Sequence, residues 1–281
     1  MKIVHVTDVH LGPRQLVRFG ANQHERLSAA IARINTVHAD AVLCVITGDL
    51  ADGGDQGAYE DLRAELDALT VPHRLIPGNH DRRGPLLAAF PETTLSPGGF
   101  VQSVHDDVDV RLIFLDTLAE GRVDGVLDDA RLDWLDRRLA EVPGKQVLIF
   151  MHHPPVAIGI PMLDPLALSD PQPFLSLLKR HRGSAHLFFG HVHRPVHGTV
   201  SGIPFSAQRG ISVQFALDLN ALSGEADAAP PSYGVILVED GRVVVHEEAF
   251  ATGWDRYDLE TGRRLHPAAI DRVPLVMNGG T

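Results

Sequence analysis

The sequence predicts an α/β protein with a β-rich C-terminal part. Two observations carry this. Short apolar runs alternate with helical patterns as far as about residue 190, as in strands joined by crossover helices. Beyond that point, apolar segments flank Asp240-Gly241, a pair suited to the tight turn of a hairpin.

The elements follow in order. Ile3 to Thr7 reads as a strand. The spacing predicts a helix over Asn22 to His38, with Leu27, Ala30, Ile31, Ile34 and Val37 on one face. Ala41 to Thr47 reads as a buried strand, Tyr59 to Leu69 as a second amphipathic helix, and His73 to Ile76 as a short strand. Val110 to Leu115 is a strand, and Asp128 to Ala140 is a helix carrying Leu132, Leu135 and Leu139. Gln146 to Met151 and Ala185 to Phe189 are strands, with a helix over Pro173 to Arg182 between them. Tyr233 to Val238 and Arg242 to Glu247 form the hairpin. Residues 154–173 are proline-rich and weakly periodic, which fits either a surface loop or a flap over a site. Residues 220–231 read as an exposed loop, and the tail from Ala251 as irregular and available to a neighbouring subunit.

Composition narrows the class. Hydrophobic residues make up 44% of the 281, enough for a sizeable core. No apolar run reaches the roughly 18 residues that a membrane span needs. Asp8 and His10 interrupt the N-terminus before a signal-peptide core forms, so a cytoplasmic location is expected. Cys44 is the only cysteine; it lies in an apolar run and reads as a small buried hydrophobe. The formal net charge of −11 disfavours a nucleic-acid polymer as partner. It leaves room for a small anion, because local metal charge overrides the global field.

Five clusters bear chemistry: Asp8-Val9-His10, Gly48-Asp49, Gly78-Asn79-His80-Asp81, His152-His153 and Gly190-His191-Val192-His193. Each follows a predicted strand, and the C-terminal strand ends of an α/β sheet open onto the ligand crevice. Taken singly, each cluster fits a turn, a cap or a surface pair. As an ordered set at strand ends they point to convergence. Carboxylate, imidazole and amide oxygen suit Mn, Fe, Co or Zn better than Ca. Asp8, Asp49, Asn79, His10, His152, His191 and His193 are too many ligands for one ion but suit two ions sharing a carboxylate. Two such cations leave a positive surplus that favours a phosphate, and bound metal lowers the pKa of a water to near 7.

In this order the motifs resemble the calcineurin-like metallophosphoesterase family, whose pattern runs D-x-H, G-D, G-N-H-[DE], H and G-H-x-H. The stretch Met151-His152-His153-Pro154-Pro155, with Asp164-Pro165 further on, is similar to the bacterial branch. That branch holds class III cyclic-nucleotide phosphodiesterases and glycerophosphodiester phosphodiesterases. The resemblance implies a four-layer αββα sandwich, with a catalytic domain over 1–208. Residues 209–281 would supply strands that complete the sheet and an oligomer interface in a dimer or higher homo-oligomer. It assigns Asp8, His10, Asp49 and His193 to one metal, and Asp49, Asn79, His152 and His191 to the other, with Asp49 bridging. It places His80 beside the phosphate as a charge stabiliser or proton donor. Asn79 joins it at the substrate, and His153 either touches substrate or fixes the His152 loop. Asp81 would orient a histidine or cap its loop.

The implied activity is hydrolysis of small phosphodiesters, 3′,5′-cyclic nucleotides such as cAMP or glycerophosphodiesters, by a metal-bound hydroxide. A phosphomonoesterase or broad-specificity phosphatase is the alternative, and a non-catalytic binding protein a remoter one. Gly48-Asp49-Leu50-Ala51-Asp52-Gly53-Gly54 lacks the arginine of the protein serine/threonine phosphatases. Asp52 stands where purple acid phosphatases place a tyrosine ligand, and the chain has little room for the capping domain of the DNA-repair nucleases. His5, His24, His38, His73, His105, His181, His186 and His197 read as structural, and Arg14 and Arg18 as solvated.

Overall fold

The structure, a computed structural model, describes residues 1–227, 229–250, 256–257, 259–261 and 263–265. Most of the C-terminal tail, and with it the expected subunit contact there, lies outside the described residues.

The first sheet uses β1 (Lys2–Val6), β2 (Leu43–Thr47) and β3 (His73–Ile76), joined by α1 (Gln23–Val37) and α2 (Gln56–Leu66). A short helix, α3 (Arg83–Ala89), follows. The second sheet begins with β4 (Ser103–Asp106) and β5 (Val110–Phe114). It continues through α4 (Asp129–Ala140), β6 (Gln146–Phe150), α5 (Gln172–Arg180), β7 (Ala185–Phe189), β8 (Val196–Val200) and β9 (Ile203–Ala207). A small ribbon of β10 (Gln214–Phe215) and β11 (Ala226–Asp227) comes next. The chain then returns to the first sheet as β12 (Ser232–Glu239) and β13 (Arg242–Ala249). The sheet orders are β13-β12-β1-β2-β3 and β4-β5-β6-β7-β9-β8.

Side-chain alternation explains the layering, because successive strand residues face opposite sides of a sheet. In β1, Val4 and Val6 pack outward with α1 and α2, while Ile3 packs inward. In β6, Val147 and Ile149 pack outward with α4 and α5, while Leu148 and Phe150 pack inward. The inner cluster joins Ile3, Leu43, Val45 and Ile76 of one sheet to Leu112, Phe114, Leu148 and Phe188 of the other. Two sheets therefore lie face to face with helices outside. Strands buried on both faces need continuous apolar runs, which is why they stand out in the sequence.

Local chemistry sets the ends of the elements. Asn22 caps α1 by accepting from the backbone N–H of His24 and Glu25. Asp128 does the same for α4 through Arg131. The hairpin turn takes φ of +48° at Asp240 and +75° at Gly241, the conformation that matches strand twist in a two-residue loop. Cys44 is buried as expected, and burial pushes its thiol up to about 12. Within residues 154–173, Ile160, Leu163 and Leu168 pack into the core outside the second sheet. Among the described residues, no helix is long and apolar enough to cross a membrane.

Candidate metal centre

β1, β2 and β3 of one sheet, and β6 and β7 of the other, all end at the same rim of the sandwich. The clusters expected at a single sheet edge are thus shared between two facing sheets. Asp8 and His10 follow β1, Asp49 follows β2, Asn79 and His80 follow β3, His152 follows β6, and His191 and His193 follow β7.

The backbone at these positions is unusual. φ is +53° at Asp8, +49° at His10, +48° at Asp49, +69° at His191 and +49° at His193. This left-handed conformation is uncommon for residues other than glycine. It costs about 1–3 kcal/mol at each such residue and persists only where the surroundings enforce it. Its effect is to turn each side chain sharply off the end of its strand.

Asp8, His10, Asp49 and His193 present ligand atoms within 4.8 Å of one another. His10 Nε2 lies 3.3 Å from Asp49 Oδ2 and 3.2 Å from His193 Nε2, which in turn is 3.4 Å from Asp8 Oδ1. On the other side of Asp49, Oδ1 lies 3.3 Å from His152 Nε2, and His152 Nε2 lies 3.1 Å from Asn79 Oδ1. His191 completes this side, its ring 5.2 Å from that of His152. The two oxygens of Asp49 thus face two different donor groups.

The donor chemistry fits cations at both places. His152 Nδ1 donates to the Thr47 carbonyl at 2.7 Å, and His193 Nδ1 donates to the Val213 carbonyl at 2.7 Å. Each ring is thereby fixed with its Nε2 lone pair aimed inward. Nε2 of His152 then meets only oxygen acceptors, from Asp49 and Asn79. Nε2 of His191 is buried with no hydrogen-bond partner among the described residues. Converging lone pairs and an orphaned buried nitrogen are costly unless a positive charge lies among them.

Electrostatics agree. Burial opposes ionisation of Asp49, but His152 and His10 overcome it and hold the carboxyl well below its usual range. Burial opposes charge on His152, yet Asp49 and Asp8 lift it to about 9, so without a cation a proton takes the place at Nε2 from which a metal would displace it. Burial pushes His191 down to about 3 and also lowers His193, keeping both neutral as ligands must be.

His80 stands at the rim, its side chain 41% exposed. Its Nδ1 lies 2.9 Å from Asp52 Oδ1, and its backbone N–H donates to Asp49 Oδ1. Hydrogen bonding to Asp52 raises its pKa. Sequence reasoning gave Asp52 no role; its place three residues after Asp49 is the signal that could have found it. Arg18, read as a solvated cation, pairs with the other oxygen of Asp52. Arg14 instead pairs with Asp61 and Glu65.

For two residues the sequence left two readings open, and the contacts fit the second of each. His153, a candidate for touching substrate, is fully buried. Its Nδ1 lies 2.7 Å from the Thr117 hydroxyl and its Nε2 lies 3.0 Å from the Val123 carbonyl. The carbonyl can only accept, so Nε2 carries the proton and Nδ1 accepts from Thr117. Neither nitrogen is free, and the ring ties the 116–125 loop to His152. Asp81 orients no histidine. It accepts from the backbone N–H of Leu50, Ala51 and Gly78 and from the Tyr59 hydroxyl, binding the Asp49 and Asn79 loops together. Burial lifts it to about 6.

Comparison with known proteins agrees with this geometry. The family model described as calcineurin-like phosphoesterase matches residues 1–195. A probable cyclic nucleotide phosphodiesterase of Rhodopseudomonas palustris is 39% identical over 95% of this chain and 98% of its own. A probable glycerophosphodiester phosphodiesterase, GpdQ, of Arcobacter nitrofigilis is 33% identical over 83% of this chain and 86% of its own. A dimetal phosphatase of Danio rerio shares the fold, with a TM-score of 0.68 at 18% identity over 88% of this chain and 96% of that one. On these matches and on the ligand pattern, this chain belongs to the calcineurin-like metallophosphoesterase family.

Proposed function

We propose that this chain hydrolyses small phosphodiesters, either 3′,5′-cyclic nucleotides or glycerophosphodiesters, at a two-cation centre. The observation that carries the reading is Asp49, whose two oxygens each face a separate set of inward-aimed donors. Asp8, His10 and His193 would hold one cation with it, and Asn79, His152 and His191 the other. When bound, divalent Mn, Fe, Co or Zn ions would polarise the phosphoryl group and acidify a water. The restriction to diesters rests on the likeness to relatives named as phosphodiesterases.

The protein's own residues would do the rest. Thr47 and Val213 hold His152 and His193 in register through their carbonyls. His80 protonates the departing alkoxide from Nε2, since Nδ1 is engaged by Asp52. A placed acid of this kind contributes about 10²–10⁴-fold. Arg18 balances the charge of Asp52 at the rim. A homo-oligomer belongs to the same reading and is measured by light scattering of the purified protein.

The test is to reconstitute the protein with Mn, Fe, Co or Zn and assay bis(p-nitrophenyl) phosphate and cAMP. Metal-dependent turnover of both is expected. A preparation that hydrolyses no diester with any of these metals defeats the reading, and one that prefers p-nitrophenyl phosphate points to a monoesterase.

A further inference from the structure

A pocket of about 220 Å³ opens beside His10, His80 and His193. The metal ligands explain only one of its walls. The turn Arg18-Phe19-Gly20-Ala21 closes on itself through reciprocal backbone hydrogen bonds between Arg18 and Ala21. Phe19 sits there at φ +50° and 67% exposed. A bulky side chain in that conformation is strained, and the large exposed ring has no packing reason to stand there. Phe215 forms the opposite wall, stacked on His193 with centroids 4.6 Å apart.

The floor is polar. Gln23 is 5% exposed and turns up in the lining of the pocket. Ser212 is 2% exposed, and its Oγ has no partner. Buried polar groups are normally paired. The unpaired Ser212 hydroxyl and the Gln23 amide, lining the same aromatic-walled pocket, call for a flat ligand with polar edges. An amide, with an NH₂ donor group beside a carbonyl acceptor, matches the edge of a nucleobase, and aromatic side chains stack on any base. A choline headgroup is the other aromatic-seeking candidate, but the Asp52 carboxylate in the same pocket is already paired with Arg18 and His80, which leaves no free anion to hold a cation.

We propose that this pocket is the subsite for the base of a nucleotide diester, with Phe19 and Phe215 as walls and Gln23 and Ser212 reading the base edge. The proposal rests on the diesterase reading and selects cyclic nucleotides over glycerophosphodiesters within it.

The experiment uses metal-reconstituted protein and compares kcat/KM for cAMP with that for glycerophosphocholine in the parent, Phe19→Ala and Gln23→Ala. Calorimetry with adenosine, which has no phosphate for the centre to hold, supplies a readout independent of turnover. The ratio of cAMP to glycerophosphocholine should fall about tenfold in each variant, the loss expected for one stacked base, and adenosine binding should weaken in parallel. An unchanged ratio with unchanged adenosine binding overturns the proposal. So does a loss confined to glycerophosphocholine, which would mark an ammonium site. If the parent hydrolyses neither diester, the catalytic reading fails, and adenosine binding alone still decides the pocket.

Discussion

Asp49 and His80 sit on neighbouring loops, joined by a hydrogen bond from the His80 backbone to the Asp49 carboxylate, yet their removal should have different consequences. Asp49→Ala takes an oxygen from both donor groups at once, so metal content measured by emission spectrometry should fall together with activity. His80→Ala leaves the inward-aimed donors in place. It should retain metal and lower kcat on cAMP by about 10²–10⁴-fold; loss of metal would refute its assigned role. Asp52 acts through His80, and its positioning role has its own signature. p-Nitrophenolate departs without needing a proton, whereas a ribose alkoxide needs one. Asp52→Asn should therefore slow cAMP turnover by at least tenfold more than bis(p-nitrophenyl) phosphate turnover, and an equal loss on both substrates would show Asp52 to be merely structural. The ligands were legible in the sequence because each follows an apolar run directly. Asp52, Gln23 and Phe19 were not, because their meaning comes from which loops meet in space. The left-handed backbone at Asp8, His10, Asp49, His191 and His193 has no sequence mark at all.

At the scale of elements, the close approach of loops depends on glycine. A Cβ on Gly78 would lie 2.3 Å from Asp49 Oδ1 and 2.7 Å from His152 Nε2, inside van der Waals contact with both. Gly78→Ala should displace these two side chains before it disturbs the strands. Far-ultraviolet circular dichroism should stay native while bound metal drops below that of the parent, and full metal content would show that the loops have slack. The strands of the two sheet centres were readable because burial on both faces makes them continuously apolar. The missed elements lack that mark. α3 carries Gly84 and Pro85 in its seven residues, β8 is largely exposed, and β9 contains Pro204. The Ser201-Gly202 turn joining β8 to β9 takes φ of +54° and +82°, so a hairpin signal was present, but Gly198 and Pro204 in its flanking strands argued against it.

For the molecule as a whole, the facing of two sheets places a titratable group in the central layer. His5 alternates inward with Ile3 and meets the edges of Phe150 and Phe188 at 5.7 and 5.9 Å. Its Nε2 reaches the Thr47 hydroxyl at 2.8 Å, and its Nδ1 has no partner. Burial pushes it down to about 3, against the pull of Asp8. The folded state therefore holds His5 neutral where an unfolded chain, with a histidine near 6.5, would bind a proton. With more protons on the unfolded side, stability rises with pH. The contribution of His5 is intact above about 6.5 and is lost as pH falls toward 3. Between pH 6.5 and 5 the loss is about 2 kcal/mol, at 1.36 kcal/mol per unit. His5→Gln keeps an amide near Thr47 and does not titrate. The parent and His5→Gln share every metal ligand, so acid protonation of the centre cancels between them. Urea unfolding at pH 7 and pH 5 should show the parent losing about 2 kcal/mol more than the variant. Equal losses would mean that the space between the sheets admits water in acid, and that the layer is less dry than its aromatic lining implies.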